Sequence, residues 1–256
     1  MVDARPAARF ARGAQVGGPA VELSELVPET GAGRIFAREM RPGIADADDT
    51  GRCRLDAIAR WLQDIAYADL VDAGFEGRGA WIVRRTRIRV EGFPRFADHL
   101  VLRTFCSGIG RFSAERRTSI RGEHAAVETV ALWVCLDPEA GRPMRFSPDF
   151  IAVYEESAAG RDANVRLRHP DPPPEATSQP WRFRAAEMDP AGHINNSHYW
   201  IPLEEELAGG PGPESIDAEI EYRDPAMPGN VVLLRHQSSM WIASPAGAVH
   251  ASLLRG

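Results

Sequence analysis

The chain reads as an α+β protein in which one unit, a long helix followed by antiparallel strands, is made twice and packed side by side. Three observations predict this. Leu55, Ile58, Leu62, Ile65 and Leu70 fall near helical spacing over residues 55–73. Strand-like runs follow at 80–91, 99–121 and 125–136, and in the first of them Trp81, Val83, Arg85, Arg87 and Arg89 alternate with Ile82, Arg84, Thr86, Ile88 and Val90. The same order then returns in shorter form: a strand at 181–188, a helix near 196–208, and strand-like runs at 214–223, 230–241 and 248–255.

The repeat survives a residue-by-residue test. A shift of 141 lays Asp48 on Asp189, Gly51 on Gly192, Arg52 on His193, Leu62 on Leu203 and Gln63 on Glu204. After the helices the shift becomes 132, laying Ile88 on Ile220, Val90 on Tyr222 and Leu102 on Leu234, as a shorter helix-to-strand loop in the second copy requires. Between the copies, residues 158–180 hold five prolines and few apolar groups, which reads as a linker. Residues 1–32 lack the apolar core of a secretory signal and read as a disordered extension, so the expected units are residues 33–157 and 181–256.

With 256 residues, 44% of them hydrophobic, the chain has ample material for a packed core. Its apolar runs are too short to span a membrane, and the default location is cytoplasmic. Cys53, Cys106 and Cys135 are odd in number, widely spaced and outside any C-x-x-C pair, so reduced, buried thiols are expected rather than disulfides or a zinc site. All thirty basic residues are arginine, and without lysine there can be no Schiff base, pyridoxal-phosphate anchor or P-loop lysine. Neither a G-x-S-x-G elbow nor a dinucleotide-binding G-x-G-x-x-G is present.

Chemistry concentrates in Glu187-Met188-Asp189-Pro190-Ala191-Gly192-His193-Ile194-Asn195-Asn196-Ser197-His198, a strand-to-helix junction that holds two of the four asparagines in the chain. A helix starting at Asn195 or Asn196 would aim unpaired N–H groups and its positive dipole end at a substrate oxygen. His193 just before it could act as base or proton relay, with Asp189 to orient it or to hold water. The plainer readings are an N-cap for the asparagines and a turn for Asp189-Pro190. His193 and His198 lack a third ligand at a recognised spacing, so no metal is expected.

Several segments resemble the acyl-ACP thioesterases: Leu62-Gln63-Asp64, Ala80-Trp81-Ile82-Val83-Arg84, Phe93-Pro94-Arg95, Ser107 to Phe112 with Arg116-Arg117, and Gly192-His193-Ile194-Asn195-Asn196. The resemblance covers roughly residues 33–256. It implies a double hotdog fold, a site between the halves, and cofactor-free hydrolysis of a fatty-acyl thioester on an acyl carrier protein, in a monomer or a homodimer of double hotdogs. Asp189, His193 and Asn195 are the implied catalytic residues. The family pattern Asp-x-Asn-x-His is broken at Ala191, and a later acidic residue falls near Ala226, where Asp224 could substitute. Substrate contacts are expected from Asn196, from Gln63 and Asp64 on the first helix, and from Trp81, Arg84 and Arg111 within the matching segments. Glu204 is expected to belong to a mirror site with Asp48 and Asp49, where Arg52 replaces the histidine, leaving one productive site. Arg78 to Arg121 contain eleven arginines against Glu91, Asp98 and Glu115, a basic stretch suited to an acidic carrier protein in a chain of net charge −6. The rivals are a hotdog dehydratase or hydratase and a non-catalytic acyl-thioester binding protein; nucleic acid is disfavoured by the overall acidity and the lack of a binding motif.

Overall fold

The computed structural model describes residues 22–208 and 212–256. Its strands are β1 (Ile35–Met40), β2 (Ala80–Gly92), β3 (Leu100–Ile109), β4 (Ser113–Arg121), β5 (Ala126–Leu136), β6 (Thr177–Phe183), β7 (Ile216–Tyr222), β8 (Gly229–His236), β9 (Ser239–Ala243) and β10 (Val249–Arg255); its helices are α1 (Leu55–Asp72), α2 (Pro148–Ala158) and α3 (Ile201–Leu207). The strands form one sheet in the order β1-β3-β4-β5-β2-β7-β10-β9-β8-β6. From the centre outward, β2-β5-β4-β3-β1 is mirrored by β7-β10-β9-β8-β6, so the two copies meet along β2 and β7. This is the double hotdog arrangement: each half-sheet wraps its own helix, α1 in the first copy and the turn Asn196–Trp200 leading into α3 in the second.

The seam carries the symmetry of the repeat. Arg85 pairs with Glu221, Arg87 with Glu219 and Arg89 with Asp217. Adding 132 to residues 85 and 89 gives 217 and 221, so the shift found in the sequence exchanges the outer two pairs about a local twofold through Arg87 and Glu219. Thr86, Ile88 and Val90 point to the helix side, where Leu55, Ile58, Leu62 and Ile65 of α1 meet Trp200 and Leu203 of the second helix in one core. Each such side chain contributes about 1.5–3 kcal/mol on burial.

The opposite face of the seam is charged and covered. Backbone N–H groups of Arg168 and His169 donate to Glu221, and the backbone N–H of Ser24 donates to Glu219. Arg87 and Arg117 donate in turn to the carbonyls of Ser24 and Val27. Of the extension expected over 1–32, residues 1–21 lie outside the described residues, while Ser24 and Val27 are buried against the sheet. His169, Glu219 and Glu221 come close enough to suggest a metal cluster. Arg85, Arg168 and three backbone N–H groups already neutralise those carboxylates, so the cluster has the chemistry of a structural clasp.

Three expectations on elements need correction. The run 99–121 is the hairpin β3–β4, because Gly110 and its neighbours turn the chain. The strand expected at 181–188 is β6 at Thr177–Phe183, with residues 185–187 in a short 3-10 turn, and the helix near 196–208 starts as a 3-10 turn before α3. The third correction is α2, which occupies the end of the segment assigned to the first unit. Its signals were present: Pro148 in the first turn after Ser147, and Phe150, Val153, Tyr154 and Ser157 at helical spacing. All three cysteines are free and buried; burial pushes Cys53 up to about 12 and Cys106 and Cys135 up to about 11.

Candidate active site

The Asp189 turn is built by backbone constraints. The Asp189 carbonyl accepts from the N–H of Gly192 at 3.0 Å, and the Asp189 N–H donates to the His193 carbonyl at 3.0 Å. Gly192 sits at φ +83°, a left-handed conformation that glycine adopts without strain. Asp189 Oδ1 accepts from the N–H of Ala191 at 2.9 Å, closing an Asx turn. Asn195 then caps the helical turn, its Oδ1 accepting from the Ser197 N–H at 2.9 Å and from the Ser197 hydroxyl at 2.7 Å.

One side chain from the other half completes the cluster. Gln63 of α1 and Asn195 exchange amide hydrogen bonds, Gln63 Nε2 to Asn195 Oδ1 and Asn195 Nδ2 to Gln63 Oε1, each 3.0 Å. Asn195 Nδ2 also donates to Asp189 Oδ2 at 3.1 Å. The carboxylate is thus fixed by its own turn on one oxygen and by an inter-half amide pair on the other. These three residues line a cavity of about 420 Å³. Most of its wall is apolar, from Ala66 and Leu70 of α1, Phe75 and Gly79 of the following loop, Trp81, Cys106, Ala114 and Trp133 of the sheet, and Phe150 and Tyr154 of α2, while Glu76, Glu115 and Arg116 add charged groups. Trp81, Phe146 and Phe150 stack successively, with ring centroids 5.5 and 4.4 Å apart. Gly79 is required there, since a Cβ would come within 2.5 Å of Cys135 Sγ.

Other candidates lie elsewhere. His193 does not line the cavity, and its Nδ1 lies 3.2 Å from the carbonyl of Ile194. Asn196 stays outside the lining, with its carbonyl accepting from the Tyr222 hydroxyl. Asp64, one residue from Gln63, points off the opposite flank of α1 toward Phe36 and Arg38, because adjacent helix positions are about 100° apart. Arg111 is exposed in the β3–β4 turn and Asp224 is exposed beyond β7. Arg84 donates to the Arg223 carbonyl at 2.9 Å, at a bulge in β2. Trp81 does line the cavity. Among the lining residues that the sequence did not single out, Phe150 and Tyr154 belong to the unexpected α2.

The mirror site is closed. The Asp48 turn repeats the hydrogen bonds of the Asp189 turn, with Gly51 at φ +81°. Here Glu204, counterpart of Gln63, accepts from the Leu55 N–H and from Arg52, which also bonds Asp48 at 2.8 Å. Arg52 stacks over Phe93 at 4.8 Å. An ion-paired guanidinium fills the space that stays open in the other copy.

The basic stretch is also largely spent. Arg78, Arg85, Arg87, Arg89, Arg103, Arg116, Arg117 and Arg121 each reach a carboxylate, leaving Arg84, Arg95 and Arg111 of the eleven. Partners such as Asp217, Glu219 and Glu221 come from the other copy, which a count along the sequence cannot see. No helix among the described residues is long and apolar enough to cross a membrane.

Comparison with known proteins agrees with the architecture. Residues 33–154 match the acyl-ACP thioesterase N-terminal domain family. An uncharacterized protein of Mycobacterium tuberculosis is 26% identical over 215 residues, 83% of this chain and 86% of that one. Among solved structures, a protein provisionally assigned as an oleoyl thioesterase from Lactobacillus plantarum superposes with a TM-score of 0.70 at 16% identity, covering 88% of this chain and 96% of the other. The 12:0-ACP thioesterase from Umbellularia californica gives 0.67 at 16% identity, with 86% and 96% covered. The duplicated sheet and the match over residues 33–154 are what this chain shares with the acyl-ACP thioesterases.

Proposed function

We propose that the chain hydrolyses the thioester of a fatty acyl group carried on acyl carrier protein, using the Asp189 turn of the second half as its one catalytic centre. The observation that carries this reading is the Gln63–Asn195–Asp189 chain of hydrogen bonds lining a mostly apolar cavity. The acyl chain enters the cavity and leaves its carbonyl beside Asp189. Asp189 takes a proton from a water as the water oxygen attacks the carbonyl carbon; the tetrahedral oxyanion collapses, the C–S bond breaks, and the proton passes to the leaving thiolate. Asn195 and Gln63 hold the carboxylate in position.

Neither metal nor organic cofactor is required by this scheme, and a cytoplasmic setting suits a carrier-protein substrate. A single chain supplies both halves of the site. The test is release of free fatty acid from acyl-ACP by the native protein and by Asp189→Asn. A fall of about 10²–10⁴-fold in kcat/KM with unchanged folding is expected for loss of a general base. Full activity in Asp189→Asn would overturn the assignment, and no release by the native protein would overturn the reaction.

A further inference from the structure

One wall of the cavity is not hydrocarbon: Glu115 and Arg116 of β4 both line it, and Glu115 already accepts from the Ser107 hydroxyl at 3.0 Å. Arg116 of β4 points inward, lines the cavity, and has a side chain only 11% exposed. Its NH2 lies 2.7 Å from Asp69 Oδ2, and its NH1 donates to Thr104 Oγ1 at 3.3 Å. Asp69 is held from behind, accepting from Arg34 Nε at 2.7 Å and from the Tyr154 hydroxyl at 3.0 Å. The Nε of Arg116 has no partner among the described residues. A guanidinium with five N–H groups therefore borders the acyl space with donors to spare.

A saturated chain pressed against that wall would strip water from the guanidinium and return no hydrogen bond, which is unfavourable. An acyl chain with an oxygen at that level would accept one. Asp69, which fixes Arg116, lies six residues beyond Gln63 on α1, so the backbone that anchors Arg116 is ~9 Å along the helix axis from that of Gln63. Resting on the hydrolase reading above, we infer that the preferred acyl group carries a hydroxyl or keto oxygen at this depth, with Arg116 as the residue that recognises it.

The test compares two acyl-ACPs of equal length, one unsubstituted and one with a hydroxyl or keto group about 9 Å from the thioester carbon, the depth set by the helix rise. The native protein should favour the oxygenated chain by about tenfold in kcat/KM, as a charge-assisted hydrogen bond allows. In Arg116→Met and Arg116→Lys the ratio should fall toward one. Arg116→Met leaves Asp69 paired with Arg34, and Arg116→Lys keeps the positive charge beside Asp69 while deleting Nε, so at least one variant should fold. A native ratio at or below one, or a ratio that survives both substitutions, would overturn the inference while leaving the hydrolase reading intact. If neither thioester is cleaved, the hydrolase reading fails, and binding of the two chains as non-hydrolysable amide analogues still decides whether Arg116 selects oxygen.

Discussion

The Asp48 and Asp189 turns share a backbone, and four of the side chains that differ set their chemistry. Thr50, Arg52, Arg54 and Glu204 surround one; Ala191, His193, Asn195 and Gln63 stand at the matching places around the other. The first set is a buried ion pair that locks the N-terminus of α1 to the opposite half. The second is a neutral amide pair beside an accessible carboxylate, opening onto a cavity. Duplication supplied two equivalent frameworks, and side-chain charge decided which became rigid and which stayed open to a substrate.

That division can be broken by exchanging roles. Glu204→Leu should be the most destabilising change: it strands the Leu55 N–H and removes one partner of a buried arginine, costing about 3 kcal/mol in denaturant unfolding. Gln63→Leu, its mirror, should cost less than about 1.5 kcal/mol, the net worth of ordinary hydrogen bonds, yet lower kcat/KM about tenfold. Equal stability losses in the two variants would contradict the contrast.

The seam offers a pH test. Burial alone would raise the Glu219 carboxyl, but hydrogen bonds from His169 and Ser24 and the nearby Arg85 outweigh it and hold the group below its ordinary 4.5. A depressed carboxylate stabilises the fold above its unfolded pKa, and this contribution is lost as pH falls through the folded value. Stability should therefore drop below about pH 4.5, and Glu219→Gln should lose part of its stability at neutral pH and show a flatter acid profile. An unchanged acid slope in the variant would exclude the clasp as its source.

The smallest expected effect concerns position 191. In the closed copy the Thr50 hydroxyl donates to Asp48 Oδ1 at 2.7 Å, and although burial raises the Asp48 carboxyl, this bond, the turn N–H groups and Arg52 together hold it low. Ala191→Thr would bring the same hydroxyl to Asp189 and weaken it as a base, lowering kcat about three- to tenfold with the profile shifted to higher acidity tolerance. A rate unchanged by that substitution would argue that basicity at Asp189 does not limit turnover.

The fold was largely legible because its signals are local and repeated. Helical spacing over 55–73 located α1 and the shift of 141 located the paired turns, whereas the seam register, which the shift of 132 matches, came from the pairing of β2 with β7. The site was legible only in part. Asp189, Asn195 and Gln63 converge, but Asp64 and His193 are chain neighbours of cavity residues that face elsewhere, and direction depends on packing as well as spacing. The arginine-rich stretch is less free than a local count suggests, because Arg85 and Arg87 meet carboxylates more than a hundred residues away on β7, and Arg78, Arg103, Arg116, Arg117 and Arg121 meet others outside the stretch. The charged wall was hidden likewise, since Arg116 meets Asp69 only after β4 packs over α1.

The central claim, one working centre from two equivalent turns, is tested most directly by measuring fatty acid release from acyl-ACP by Asp48→Asn and Asp189→Asn side by side. The account predicts near-native turnover for Asp48→Asn and a loss of two or more orders of magnitude for Asp189→Asn, the range for a missing general base. Comparable losses in both, or a loss confined to Asp48→Asn, would contradict it.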